Sequence, residues 1–493
     1  MPPLNPHSLV RRTGLLQIGV AGILSVSALS LVAATGAGSS STSEKPFRAG
    51  AATSNITPLL GVKLDGGIMQ IGPATHVHDE LYARCLVLDD GTSRLAFVVC
   101  DNTMIATEVI EDAKHMIQDA TGLDPSHVMI SATHSHSTPR GLDLKLGAKN
   151  LEYNRFLSER VADGVRRAIN NLQPAVIGWG SGSKPEFVQN RRWLVEPDKV
   201  PANPFGEKGE KVVMGASPAH KIGPSGPVDP ELYLVSVRHR DGRPLAVLAS
   251  YGLHYVGGIP NGVVSADYYG VFADEVQRQL GAERETPPFV AMMANGTSGD
   301  VRTPAVAAPE YERMHTVAEE LAREAVRICG RITYQSHASL DAAQAKLTLA
   351  VRRPNPERLA WANQVYGGVD PKAKVLTRSQ IYAREARYLA DYPPTVTLTV
   401  QAYRIGTLAI ATAPCEIFAA TGLDLKRKSP FKDSFMIELA NGYYGYLPTP
   451  EQHALGGYES WPARTAFLEI QAEPKIKDTL LALLADLEKR APR

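Results

Sequence analysis

The chain has 493 residues, 44% of them hydrophobic and 21% charged, and its 52 basic residues balance 51 acidic ones to leave a formal net charge of +1. That balance excludes the strongly basic surface of a nucleic-acid binder and gives no electrostatic reason for tight binding to anionic membrane. Four cysteines, Cys85, Cys100, Cys329 and Cys415, are too few for a disulfide scaffold. Each sits in an apolar run and reads as a buried small side chain, with a Cys85–Cys100 bridge across one hairpin left open for an oxidising compartment.

The chain opens with a segment that does not read as part of the fold. Arg11-Arg12 precede an apolar, glycine- and alanine-rich run from Thr13 to Ala34 without an acidic residue, and small residues follow as far as Ser43. Residues 1–42 read as a twin-arginine-type export signal. A membrane anchor fits less well, because of the glycine and serine content and the small-residue exit. The expectation is a periplasmic or extracellular protein in which residues 43–493 form one large domain with no stable membrane span.

Phe47 to Thr57 reads as a first strand ending at Pro58, and a polar cluster of His76, His78, Asp79 and Glu80 comes soon after Gly66-Gly67. Leu81–Leu88 and Arg94–Cys100 are predicted strands joined by the turn chemistry of Asp89-Asp90-Gly91. Helical spacing covers Thr107–Ala120 and Glu152–Leu172, the second with Phe156, Val161, Val165 and Ile169 on one side. Between these helices, V-M-I-S-A-T-H-S-H-S-T-P from Val128 to Pro139 reads as the end of a buried strand that breaks into small polar residues carrying His134 and His136. Two imidazoles separated by one residue point to the same side of an extended backbone. Neutral imidazole is the commonest protein ligand for zinc. On this stretch alone, a metal site and a pair of satisfied loop histidines stay open side by side.

A strand at Ala175–Gly182 leads to F-V-Q-N-R-R-W, Phe187 to Trp193, and residues 196–227 read as a long surface loop. Leu232–Arg238 and Pro244–Tyr251 form a predicted hairpin, whose second strand ends in G-L-H-Y-V-G-G with His254. Asp267 reads as the N-cap of a helix running to Leu280. The strand Phe289–Met293 enters N-G-T-S-G-D-V-R, Asn295 to Arg302, a loop able to offer backbone N–H groups and hydroxyls to a polar substrate. Further helices are predicted at Glu310–Cys329, at Asn355–Tyr392 with a break near Gly367-Gly368 and Pro371, at Glu416–Lys428 and at Pro474–Lys489. Ala338–Val351, Thr395–Ala411 and Met436–Ala440 are strands. The succession of strand, helix and strand predicts a layered α/β arrangement with functional groups on loops at strand ends.

Several of these stretches carry a family resemblance. S-A-T-H-S-H-S-T-P, the strand ending at His254, P-C-E at Glu416, and Tyr446 with Tyr458 beyond it together resemble the catalytic domain of the neutral/alkaline non-lysosomal ceramidases. H-D-E-L-Y-A-R at His78 to Arg84 and Asn190-Arg191 also fall where that family has comparable segments. The resemblance implies an α/β fold of layered mixed β-sheets flanked by helices, and one zinc ion held by His134, His254, Glu416 and Tyr446. It assigns His136, Arg191 and Tyr458 to the scissile amide and its developing oxyanion. Two imidazoles, a carboxylate and a phenolate make a borderline N/O site with a coordination position to spare. Taken alone, Tyr446 and Tyr458 read as core aromatics.

Two features depart from the family pattern. Where ceramidases place a serine in the glycine loop, this chain has Arg302, in S-G-D-V-R-T, with Ser298 near by. Ser298 and Arg302 are accordingly assigned to substrate binding, and the arginine suits a carboxylate or phosphate. Family ceramidases carry a C-terminal immunoglobulin-like domain, whereas this sequence stops at Arg493 after its last predicted helix. Three functions follow. The first is an exported zinc-dependent amidohydrolase that cleaves a linear amide, ceramide or another N-acyl amine, through a zinc-activated water, with a small-molecule or lipid amide as its partner. The second is a zinc-dependent esterase, lactonase or polar-amide hydrolase. The third is a non-catalytic, metal-stabilised binding protein, motivated by Arg302, against which the retention of all four ligand types weighs.

Overall fold

The computed structural model describes residues 46–66, 69–141, 148–369 and 375–491; the expected export signal lies outside them. Its centre is a mixed sheet of eight strands in the spatial order Val290–Asn295, Pro244–Tyr251, Glu231–His239, Gln173–Ser183, Arg48–Asn55, Tyr82–Asp89, Arg94–Cys100 and Val128–Ala132. Neighbours pair antiparallel except at the two ends, where Val290–Asn295 runs parallel to Pro244–Tyr251 and Val128–Ala132 parallel to Arg94–Cys100. A parallel pair needs a crossover, and the helices Asp267–Gln279 and Thr107–Thr121 supply one at each edge. The sheet curls until these edge regions touch, although no strand pairing closes it. That curl brings the loops after Val128–Ala132 and Pro244–Tyr251, which carry His134 and His254, to a common place.

Both faces of the sheet are covered, which is why its strands read as near-continuous apolar runs. Along Arg94–Cys100, Leu95, Phe97 and Val99 enter one core, and Ala96, Val98 and Cys100 enter another. The first core is shared with a four-stranded sheet, Leu340–Ala350, Thr395–Ile405, Leu408–Thr412 and Asp433–Ile437, through Tyr403, Ile410 and Phe435. Helix Ala472–Lys489 closes the outer side of that second sheet by burying Ile476, Leu480 and Leu484. Each such side chain contributes roughly 1.5–3 kcal/mol. The other face of the large sheet is covered by Thr107–Thr121 and Ala148–Asn170 over one half, and by Asp267–Gln279 and Glu312–Cys329 over the other. The α/β layering of mixed sheets flanked by helices is thus as the sequence predicts.

The break predicted within Asn355–Tyr392 near Gly367-Gly368 is present: the segment is two helices, Pro356–Gly367 and Arg378–Ala390, and Pro371 lies outside the described residues. Other local expectations change. Within 196–227, Val212–Met214 and Lys221–Pro224 flank Arg192–Val195 in a small three-stranded sheet, so this stretch is more ordered than a surface loop. The helix expected from Glu416 begins at Ala419, because Glu416–Ile417 pairs in parallel with Tyr446–Leu447. The four cysteines are free and buried; Cys85 sits opposite Val98 and Cys100 opposite Ala83, a register that offers no bridge. Among the described residues, no helix is long and apolar enough to cross a membrane.

Candidate metal centre and active site

The strand Val128–Ala132 ends two residues before His134, which adopts a left-handed backbone (φ 69°). The strand-alternation argument for His134 and His136 therefore does not hold: a turn, and not an extended run, brings the two rings together. A non-glycine residue in this conformation stores strain that its surroundings must hold. Here the His134 backbone N–H donates to the Asn102 carbonyl at 2.9 Å, and its Nδ1 lies 2.8 Å from the Thr103 carbonyl. His254, three residues past the Pro244–Tyr251 strand, sets its Nδ1 3.2 Å from the Ser298 carbonyl. An imidazole whose Nδ1–H is committed to a carbonyl presents a bare lone pair at Nε2, the usual preparation of a metal ligand. The two rings lie 4.5 Å apart and nearly perpendicular.

Glu416 completes the arrangement. Its Oε1 accepts a hydrogen bond of 2.8 Å from the Tyr443 hydroxyl. Its Oε2 is fully shielded, has no hydrogen-bond donor, and lies 3.3 Å from Nε2 of His134 and 3.7 Å from Nε2 of His254. Burial pushes this carboxyl up, but His134, Arg191 and Tyr443 outweigh burial and hold it below the usual range, so it is ionised. Burial, then Arg191 and the two neighbouring imidazoles, hold His254 well below its ordinary value and therefore neutral. The buried Oε2 of Glu416 and two ring nitrogens whose Nδ1 partners are carbonyls thus converge in a dry site, an arrangement that suits a cation among them. Tyr446 stands directly opposite Glu416 on the paired strand and is buried. Burial drives its hydroxyl well above the ordinary range, so it stays a phenol unless a metal ion displaces the proton. These residues fit a divalent cation of borderline character.

His136 is the third imidazole in this group, its Nε2 3.2 Å from that of His134. Its environment differs from that of the other two: the ring stacks on Tyr255 at 3.7 Å, and among the described residues no carbonyl fixes its Nδ1. Burial, with His134, Arg191 and Arg140 adding to it, holds His136 well below its ordinary value and keeps it neutral. Arg191 reaches the site beside the strand pair of Gln189–Asn190 with Val301–Arg302. Its Nε donates to Glu459 at 2.8 Å, and Arg192 holds the other oxygen of that carboxylate at 2.6 Å. Arg191 lies over the Tyr446 ring at 5.3 Å, and its Nη2 is buried without a partner. Tyr458, next in the chain to Glu459, packs 5.6 Å from the Tyr446 ring and lines a mostly apolar cavity of 420 Å³ with Val212, Ile381 and Trp461. Burial keeps its hydroxyl protonated.

The two residues assigned to substrate binding stand in different surroundings. Ser298 is wholly buried behind His254, where its Oγ donates to Glu438 at 2.6 Å and lies 3.3 Å from His254 Nδ1. It braces the imidazole. Ser298→Ala is expected to weaken metal affinity roughly 10- to 100-fold, as measured by competition with a chromophoric chelator. Arg302 is half-buried opposite Gln189, its Nε on the Thr303 carbonyl at 3.3 Å, and its charge acts on Tyr255, the ring stacked on His136. The glycine loop also serves packing. A Cβ on Gly299 would meet the Glu416 carbonyl oxygen at 2.5 Å, so only glycine lets this loop lie against the backbone of Glu416 and Ile417. Asp267, expected as an N-cap, instead accepts the N–H groups of Val256 and Gly257 and so ties the loop after His254 to the helix start. Tyr443, Tyr255, Glu438 and Glu459 were not singled out by sequence; Tyr443 stood in plain view in N-G-Y-Y-G-Y, where only one tyrosine was chosen.

Comparison with known proteins follows the same line. The family model "Neutral/alkaline non-lysosomal ceramidase, N-terminal" matches residues 47–337. The chain belongs to this family. The matched stretch carries His134, His136, Arg191, His254, Ser298 and Arg302; Glu416, Tyr446 and Tyr458 lie beyond it and join the site through the fold. The neutral ceramidase of Pseudomonas aeruginosa is 22% identical over 84% of this chain and 68% of its own length. Neutral ceramidase B of Dictyostelium discoideum is 24% identical over 47% of this chain and 32% of its own length. Two crystal structures share the fold: a ceramidase complexed with C2 (TM-score 0.68, 19% identity, covering 91% of this chain and 76% of that one) and the Pseudomonas aeruginosa neutral ceramidase (TM-score 0.67, 20% identity, 91% and 75%).

Proposed function

We propose that the chain is a zinc-dependent amidohydrolase that cleaves a linear amide, with ceramide or another N-acyl amine as substrate, and that His134, His254, Glu416 and Tyr446 hold the metal. The observation that carries this reading is the buried Oε2 of Glu416, with Nε2 of His134 at 3.3 Å and Nε2 of His254 at 3.7 Å, each ring turned to it by a carbonyl at its Nδ1. A zinc ion there would polarise the amide carbonyl and supply a bound water whose pKa is lowered to about 7. Arg191 Nη2, unpartnered among the described residues, and the protonated Tyr458 hydroxyl are the donors for the oxygen that becomes negative as the carbonyl carbon turns tetrahedral. His136, stacked on Tyr255 with its Nε2 3.2 Å from that of His134, would take the proton released by the attacking water and pass it to the departing amine nitrogen. Tyr443 keeps Glu416 oriented, and Glu459 does the same for Arg191. The apolar cavity beside Tyr458 suits a substrate with a hydrocarbon arm. We further propose that residues 43–493 act as one catalytic domain and that the leader with Arg11-Arg12 sends it out of the cytoplasm.

The test is a panel of N-acyl amides and matched esters assayed with and without a chelator. Chelator-sensitive, zinc-restored amide turnover is expected; turnover of esters alone would favour the esterase, and no chelator-sensitive turnover the binding protein. A second reading rests on Arg302, whose charge lies against the Tyr255–His136 stack: the substrate carries an acidic group near its scissile bond. Arg302→Ser is then expected to reduce kcat/KM for an acidic N-acyl amine roughly tenfold relative to a neutral one, the loss of about one charge-assisted hydrogen bond. An unchanged preference would remove this role.

A further inference from the structure

A cavity of 240 Å³ opens between Phe205, the segment Arg352–Asn355, Arg358 and the C-terminal part of helix Arg378–Ala390. Three guanidinium groups line it. Arg352 donates from Nη1 and Nη2 to the carbonyls of Ser460 (2.9 Å) and Ala466 (2.5 Å), and its Nε is shielded without a partner. Arg353 donates to the Ala390 carbonyl at 2.9 Å. Arg358 lies on the Phe205 ring at 3.7 Å and donates from Nη2 to Glu207 at 2.5 Å, while its Nη1 is shielded and unpartnered. Carbonyl oxygens satisfy N–H groups but do not cancel charge. Among the described residues, neither Arg352 nor Arg353 has an ion-pair partner, and Glu207 serves Arg358 alone.

The surroundings keep the field positive. Burial alone pulls the Arg352 guanidinium down to about 10, with no carboxylate opposing it, so it is still charged at neutral pH. Burial, then Arg352 and Arg192, push His453 down to about 3, so that imidazole stays neutral. Helix Pro356–Gly367 also begins here, and its N-terminal dipole adds to the same sign. Buried charges are ordinarily paired, and arginine forks match the oxygen spacing of phosphate.

We propose that this cavity binds a tetrahedral oxyanion of the phosphate class, held by the three guanidinium groups that line it, Arg352, Arg353 and Arg358. Because Arg352 also grips the Ser460 and Ala466 carbonyls, the bound anion steadies the segment that begins at Tyr458. The test is the melting temperature of the purified, zinc-loaded protein titrated with inorganic phosphate at constant ionic strength in chloride. In parallel, phosphatidic acid is presented in phosphatidylcholine vesicles. A saturable rise of several degrees with inorganic phosphate assigns a free ion; a rise with phosphatidic acid vesicles alone assigns a lipid headgroup. In either case the rise should vanish in Arg352→Met and in the double variant Arg353→Gln/Arg358→Gln. The double variant leaves the Ser460 and Ala466 carbonyls held, so it serves if Arg352→Met does not fold. The absence of a saturable rise in both titrations, or a rise of unchanged size in the double variant, overturns the proposal.

Discussion

Replacing His254 with alanine is expected to strip the protein of its metal and to lower amide turnover by at least about a thousandfold, whereas replacing His136 should cost activity and leave the metal in place. The two imidazoles are close neighbours, so proximity does not separate their roles; their second nitrogens do. His254 is anchored through Nδ1 to the Ser298 carbonyl and aims Nε2 at Glu416. His136 is held by stacking on Tyr255, with its Nε2 3.2 Å from that of His134 and, among the described residues, no carbonyl at its Nδ1. Losing a ligand forfeits the several kcal/mol that the metal supplies to the transition state, and each ~1.4 kcal/mol is a factor of ten in rate. Losing a general acid or base costs roughly 10²- to 10⁴-fold with the metal retained. Metal content by mass spectrometry, beside kcat for both variants, checks this. Stoichiometric zinc in the His254→Ala protein would show the ligand set to be wrong.

Arg191→Met carries the second large effect, a fall in kcat of about 10²- to 10³-fold with zinc content unchanged, the usual loss for one oxyanion donor in a dry site. Arg191 is prepared for that task. Burial would push its pKa down, but Tyr446, Glu459 and Glu416 hold it well above the ordinary value, so its charge is permanent. Glu459 takes its Nε and leaves Nη2 buried with nothing to bind. Destabilisation should be modest, below about 3 kcal/mol, because Glu459 keeps Arg192 as a buried partner, so the ion pair is thinned and not broken. A variant that loses kcat and zinc together would mean that Arg191 shapes the metal site and does not contact the substrate.

Much of the architecture could be read from local pattern. Apolar residues covering both faces of Arg94–Cys100, and Asp89-Asp90-Gly91 before it, specify a hairpin of a doubly covered sheet, and that hairpin is present. What escaped depends on partners distant in sequence. Glu416 lies at the start of a run with helical composition, but its two-residue strand exists because Tyr446–Leu447 comes alongside, a pairing that no local periodicity encodes. The bracing role of Ser298 is set by Glu438, 140 residues away. The strands within 196–227 are short and lack alternation, so they form only against Arg192–Val195. The histidine pair was found for a reason that proved incomplete, since the curl of the sheet and the left-handed turn at His134 bring the imidazoles together.

The most direct measurement is anomalous diffraction at the zinc absorption edge on crystals of the zinc-loaded protein. One peak is expected, about 2.0–2.2 Å from Nε2 of His134, Nε2 of His254 and Oε2 of Glu416, with the Tyr446 hydroxyl as the fourth protein donor. A zinc peak elsewhere, or one coordinated by His136 in place of Glu416, would contradict the account.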